Sequence, residues 1–118
     1  MTKTNELSQK RCVSCEVGAV ALTPEQVKDL LPSIFDWHVS SDGNRIRRDW
    51  QVRDFMTALA FFQQIAQIAE AEDHHPDLHL VGYRNVAIEI WTHAVGGLTE
   101  NDFILAAKID RVPVERKV

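Results

Sequence analysis

The twenty residues 54–73, DFMTALAFFQQIAQIAEAED, constrain this chain more than any other stretch. Phe55, Leu59, Phe62, Ile65, Ala66 and Ala69 recur at the spacing that puts side chains on one face of a helix, and Phe61 and Ile68 widen that face. Asp54 is placed to cap the start, and Pro76 disfavours helical geometry at His75, so the helix ends near His74. A widened stripe serves either a broad core contact or a second subunit.

Period-two segments bracket this helix on both sides. DWHVSSDGNRIRRDWQV, residues 36–52, reads as a hairpin around Asp42-Gly43, a strong short-range turn signal. Ile46, Trp50 and Val52 share one strand face; Arg45, Arg47 and Asp49 share the other. DLHLVGY and NVAIEIWTH, residues 77–83 and 85–93, read as two more strands. In the second, Val86, Ile88, Ile90 and Thr92 point one way, and Ala87, Glu89, Trp91 and His93 the other.

Two further helices complete the pattern. LTPEQVKDLL starts with Thr23 as N-cap, Pro24 in the first turn and Gln26 closing a capping box, and Pro32 stops it. After the Gly96-Gly97 turn, TENDFILAAKID begins at Thr99, with Asp102 at its third helical position. The order helix, strand, strand, helix, strand, strand, helix, with short connections inside each strand pair, gives an α+β class: helices on one face of an antiparallel sheet.

A chain of 118 residues, 45% hydrophobic and 25% charged, suits one globular domain, taken as residues 21–118. Residues 1–20 read as a polar, flexible N-terminal tail. The net charge of −4 provides no footprint for nucleic acid or an anionic membrane. Without a long apolar run or a signal-peptide core, a cytoplasmic location is expected.

Cys12 and Cys15 form a CxxC in the tail, half of a zinc site with no second half. A redox CxxC would follow a strand and open a helix, so reduced thiols are the simpler reading. GxSxG, Walker, GxGxxG and HExxH motifs are absent.

Four of the five histidines fall between His74 and His93. At a helix-to-strand junction two adjacent rings can turn toward one cavity, which neither a regular helix nor a regular strand permits. At a helix C-terminus the dipole favours imidazolium and tunes His74 toward general acid chemistry near neutral pH. The bland alternatives are a C-cap for His74 and a linker role for His75. Asp102 has a capping alternative with Thr99, and Glu70 an i, i+4 pairing with His74. A zinc site of His74, His75 and His93 is disfavoured because adjacent side chains diverge. Arg45, Arg47, Arg48 and Arg53 read as a solvated strand face or, less simply, a phosphate patch. Trp91 shares its face with His93 and can wall a pocket for a flat ring.

Glu70, three residues, His74-His75-Pro76, six residues, Tyr83, nine residues, His93, eight residues, Asp102: this spacing resembles the signature of the pterin-4a-carbinolamine dehydratase family. VRDFMTALAFF and THAVGGLTENDFILA look like that family's central-helix start and strand-to-helix passage, and the likeness covers about residues 21–112. It implies a four-stranded antiparallel sheet with three helices packed on one face (α-β-β-α-β-β-α), assembled as a homodimer or homotetramer. The implied activity is a hydro-lyase reaction: dehydration of 4a-hydroxytetrahydrobiopterin to quinonoid dihydropterin, which recycles tetrahydropterin, with no metal and no organic cofactor. His74, His75, His93 and Asp102 match catalytic positions, with His74 the expected main acid–base residue. Glu70, Asp73, Pro76 and Trp91 fall where the pterin would be bound. His79 and the CxxC gain no role. Some members of the family act as dimerisation partners of a transcription factor, so the alternative is a non-catalytic, coactivator-like binding module.

Overall fold

A computed structural model describes residues 4–12 and 20–118. Its elements run α1 (Thr4–Gln9), α2 (Pro24–Leu30, continued by a 3-10 turn Leu31–Ser33), β1 (His38–Val39), β2 (Ile46–Gln51), α3 (Phe55–Glu72), β3 (Asp77–Val81), β4 (Asn85–Ile90) and α4 (Glu100–Asp110). The four strands form one sheet in the order β1-β2-β4-β3, every neighbouring pair antiparallel. The expected α+β class is therefore the observed one.

Local chemistry accounts for the element ends. Thr23 and Gln26 exchange backbone–side-chain bonds of 2.9 and 3.2 Å at the start of α2. Asp54 accepts the Thr57 N–H at 2.8 Å and starts α3. In the β1–β2 turn, Asp42 accepts from Asn44 N–H and Ser40 Oγ, while Gly43 takes φ +78°, which a side chain would disfavour.

One face of the sheet supplies Ile46, Trp50, Val86, Ile88 and Ile90 to the core, where they join Phe61 and Ile65 of α3 and Phe103, Leu105 and Ile109 of α4. Trp50 meets Phe61 edge-on at 5.3 Å and Trp37 at 6.0 Å. The other face is charged, with Arg45 lying 3.5 Å from Asp77 and 3.7 Å from Glu89. Arg47 lies opposite Glu89, which lies opposite Asp77 on β3.

Three expectations require correction. The buried stripe of α3 is Ala58, Phe61, Ile65 and Ala69; Phe55, Leu59 and Ala66 face outward. The helix carries apolar residues on both flanks, and the Trp50–Phe61 contact decides which flank turns inward. Arg48 is not part of a solvated arginine face. Its side chain is 8% exposed and bonds Asp110 Oδ1 at 2.7 Å. Strand alternation puts position 48 between Ile46 and Trp50 on the core side, so the charge is accommodated there by pairing. Asp110 also accepts Trp37 Nε1–H at 2.8 Å and the Phe35 N–H at 2.9 Å. Burial pushes the Asp110 carboxyl above its ordinary range, and these three donors pull against that shift.

The third concerns the segment read as tail. Residues 4–9 form α1, whose Leu7 is buried to 2% exposure and joins the core cluster. α1 lies against α4, and Lys108 Nζ donates to Ser8 O at 2.8 Å. One large apolar side chain in a polar stretch is a weak signal for such docking. Cys15 of the CxxC lies outside the described residues. Among the described residues, no helix is long and apolar enough to cross a membrane.

Candidate active site

The end of α3 builds the site. Asp73 adopts a left-handed conformation, φ +52°, that turns the chain out of the helix. His74 N–H still reaches back to Ala69 O at 3.1 Å, so its backbone is tied to the last helical turn. His74 and His75 follow directly, before Pro76 and the start of β3. The junction thus lets neighbouring rings serve one cavity without obeying helix or strand geometry.

The His74 ring is fixed from behind. Its Nε2 lies 2.7 Å from Asp102 Oδ1, and Asp102 is fully buried. The other carboxylate oxygen, Oδ2, accepts Thr99 N–H and Thr92 Oγ1–H, each at 2.8 Å. Asp102 therefore caps α4 and orients His74 at once, so the capping and site readings both hold. With Nε2–H donated to the Asp102 carboxylate, Nδ1 is the nitrogen left with a lone pair to accept a proton. His75 Nε2 pairs with Glu70 Oε2 at 2.5 Å in an exposed contact. Glu70 therefore pairs with His75 and not, as the i, i+4 alternative had it, with His74.

His93 arrives from another element. It was expected on the last strand; β4 instead ends at Ile90, Thr92 forms an isolated bridge to Gly97, and His93 opens the turn that follows. Gly96, at φ +64°, permits that turn, and a Cβ on Gly97 would stand 3.1 Å from Ala21 Cβ. The His93 ring packs against Trp91 at a tilt of 42°, with centroids 4.1 Å apart. Arg45 lies over the Trp91 ring at 4.7 Å, and Trp91 Nε1–H points to Asp77 Oδ2 at 3.4 Å.

His74, His75 and His93 line one cavity of about 590 Å³, together with Asp73, Trp91 and Thr92. Three imidazoles around one cavity, one backed by a buried carboxylate and one packed against an indole, can give and take protons beside a flat ring.

The family model for pterin 4 alpha carbinolamine dehydratase matches residues 20–112. The chain belongs to the pterin 4 alpha carbinolamine dehydratase family. Among its relatives, pterin-4-alpha-carbinolamine dehydratase 2, mitochondrial, of Arabidopsis thaliana is 53% identical, over 93% of this chain and 60% of that protein. A Legionella pneumophila protein bearing the same family name is 47% identical over 95% of this chain and 99% of its own length. This chain thus spans about three fifths of the Arabidopsis protein and nearly all of the Legionella one. A solved structure, the transcriptional coactivator/pterin dehydratase from Brucella melitensis, superposes with a TM-score of 0.71 at 32% identity, covering 75% of this chain and 94% of that one.

Of the residues that the carbinolamine dehydratase signature singled out, His74, His75, His93, Asp73 and Trp91 line the cavity. Asp102 and Glu70 stand behind it, joined to it through His74 and His75. Pro76 is not on the wall and acts through the backbone it restricts. Tyr83, the aromatic of the signature, is exposed at a left-handed corner with Arg84 over its ring. Sequence reasoning missed Glu72, Asn101, Arg11 and Cys12, which also line the cavity. Glu72 and Asn101 adjoin residues already singled out. Arg11 and Cys12 precede the matched region and carried no signal for this placement.

Proposed function

We propose that this chain is an enzyme, a hydro-lyase that dehydrates 4a-hydroxytetrahydrobiopterin to quinonoid dihydropterin by histidine acid–base catalysis and so recycles tetrahydropterin. The observation that carries this is the convergence of His74, His75 and His93 on one cavity, with Asp102 fixing the tautomer of the first. Dehydration requires one proton to reach the hydroxyl on C4a as the C–O bond breaks. The N5 lone pair then forms the C4a–N5 double bond, and the N5 proton leaves to a base. One water is lost and no electrons are gained or lost.

In this mechanism His74, through Nδ1, is the main acid–base residue, and His75 and His93 position the ring and relay protons. Trp91 and Asp73 wall the space for the flat ring, and Glu70, through His75, and Pro76, through the backbone it restricts, set the geometry of pterin binding around it. Each well-placed acid or base contributes about 10²–10⁴-fold. The test is turnover of a carbinolamine generated in situ by His74→Ala and His93→Ala. Both variants should fold and lose most activity; full activity in both removes this mechanism.

The proposal includes a homodimer or homotetramer. It is supported by Phe55, Met56 and Leu59, apolar residues of α3 that are 46%, 70% and 41% exposed. Light scattering on the purified protein tests it. A cytoplasmic location also belongs to the proposal, and the mitochondrial name of the Arabidopsis relative makes cell fractionation its test. The name of the Brucella structure defines the second reading, a coactivator-like binding module. A stoichiometric protein partner combined with no pterin turnover would favour it.

A further inference from the structure

We propose that the N-terminal arm, Leu7–Cys12, is a wall of the substrate pocket, and that Arg11 on it is a specificity-determining residue that binds an anionic substituent on the pterin ring. The inference rests on the pterin reading of the cavity and concerns a segment that precedes the family match, which begins at residue 20.

The arm is held down at several points. Leu7 is in the core, Lys108 Nζ bonds Ser8 O, and Lys10 Nζ pairs with Glu100 at 2.8 Å. At its far end the Cys12 N–H donates to Glu72 Oε1 at 2.8 Å, and Cys12 Sγ approaches Asn101 O at 3.6 Å. Glu72 and Asn101 adjoin the two parts of the site, the α3 corner before His74 and the first turn of α4. The arm is therefore anchored to the same two turns that fix His74 and Asp102, and its last two residues, Arg11 and Cys12, face the cavity that the histidines line.

The charge on this wall has a direction. Glu72 is 8% exposed and answered by the Cys12 N–H and by Lys108 Nζ at 3.6 Å. Arg11 is exposed and has no ion-pair partner among the described residues. The flat ring is provided for by Trp91 and the imidazoles. A guanidinium at the edge is a planar fork of donors suited to a carboxylate or phosphate. Substituents at C6 are where pterins differ from one another; biopterin carries a neutral dihydroxypropyl chain there, so a cation at the rim extends the same site to pterins with an anionic C6 group without taking part in proton transfer.

The test uses the full chain and two stable, fluorescent probes, pterin-6-carboxylate and neutral 6-hydroxymethylpterin, titrated by fluorescence quenching. Wild type is expected to bind the carboxylate about tenfold more tightly than the neutral probe, a partly exposed charge-assisted contact. Arg11→Ala should abolish that preference and Arg11→Glu reverse it, with binding of the neutral probe changed less than about twofold. Leu7→Asp should undock the arm and abolish the preference too. Docking is read separately at Cys12, because burial, with Glu72 and Asp102 nearby, pushes its thiol up to about 12. Alkylation of Cys12 by iodoacetamide at pH 8 should therefore be slow in wild type and fast in Leu7→Asp. Equal affinity of wild type for both probes, or a preference that survives Arg11→Glu, overturns the inference and leaves the dehydratase reading intact. If wild type binds neither probe and turns over no carbinolamine, the pterin reading falls and this inference with it.

Discussion

Replacing Asp102 by asparagine isolates the proton-placing role of this residue from its shape. The amide oxygen can take the place of Oδ2 and keep the Thr99 N–H and Thr92 hydroxyl bonds, both 2.8 Å long. The amide nitrogen then faces His74 Nε2, where Oδ1 had been at 2.7 Å. It can only donate there, so neutral His74 must carry its proton on Nδ1, the ring nitrogen away from residue 102. Trading charge-assisted for neutral bonds costs about 1–2 kcal/mol, and losing an acidic residue from the first turn of α4 about 0.3–1 kcal/mol. These terms lower stability slightly and leave the fold populated. The rate suffers more. Nδ1 no longer has a free lone pair in the neutral ring, and the carboxylate no longer stabilises the imidazolium. Together these should lower kcat by about 10²–10⁴-fold, the range of a well-placed acid–base group. The assay is turnover of carbinolamine generated in situ, with 15N chemical shifts of the His74 ring reporting the tautomer. A variant that shows the switched tautomer and keeps kcat within about threefold of wild type refutes the assignment of proton transfer to Nδ1.

Two further predictions concern the frame of the site. Asp110→Ala strands the Arg48 guanidinium, 8% exposed and then left with the Trp50 ring at 4.6 Å and the exposed Asp36 at 3.8 Å, and should cost about 3–5 kcal/mol in urea unfolding. Arg48→Met combined with Asp110→Asn should cost less than Asp110→Ala alone, and a loss below about 1 kcal/mol for Asp110→Ala would show the pair to be dispensable. At the start of α3, bonds from the Thr57 hydroxyl and N–H lower the Asp54 carboxyl from 3.8 to about 2. A lowered folded-state value means the folded protein favours the ionised form. The stabilising contribution of Asp54 is therefore present above about pH 4 and lost as pH falls toward 2. The difference in urea midpoint between wild type and Asp54→Asn should shrink over that window, and a difference independent of pH would contradict the assignment.

Much of the fold was legible because its signals are local. Thr23 with Gln26, Asp54 and the Asp42-Gly43 turn act within a few residues of themselves, and each is where the sequence put it. The phase of α3 was not legible, since Phe55 and Leu59 are as apolar as the residues that ended up inside. Periodicity gives the width of an apolar stripe, and only a tertiary contact such as Trp50–Phe61 gives its centre. Arg48 was misread because residue type was weighed above strand parity; the partner that makes its burial possible lies 62 residues away. In the site, the histidine clustering could be seen directly. The joining of His74 to Asp102, 28 residues on, was accessible only through the family resemblance, and the arrival of Arg11 not at all.

The corner at Asp73 has a mechanical consequence. An L-residue held at φ +52° sits in a conformation that costs about 1–2 kcal/mol relative to its preferred ones. Glycine there would relieve that cost while admitting many more exit directions from the helix. The aspartate narrows them, so the aim of two adjacent rings is governed by one stiff pivot upstream of both. Loosening that pivot would blur the site without touching any group that moves a proton.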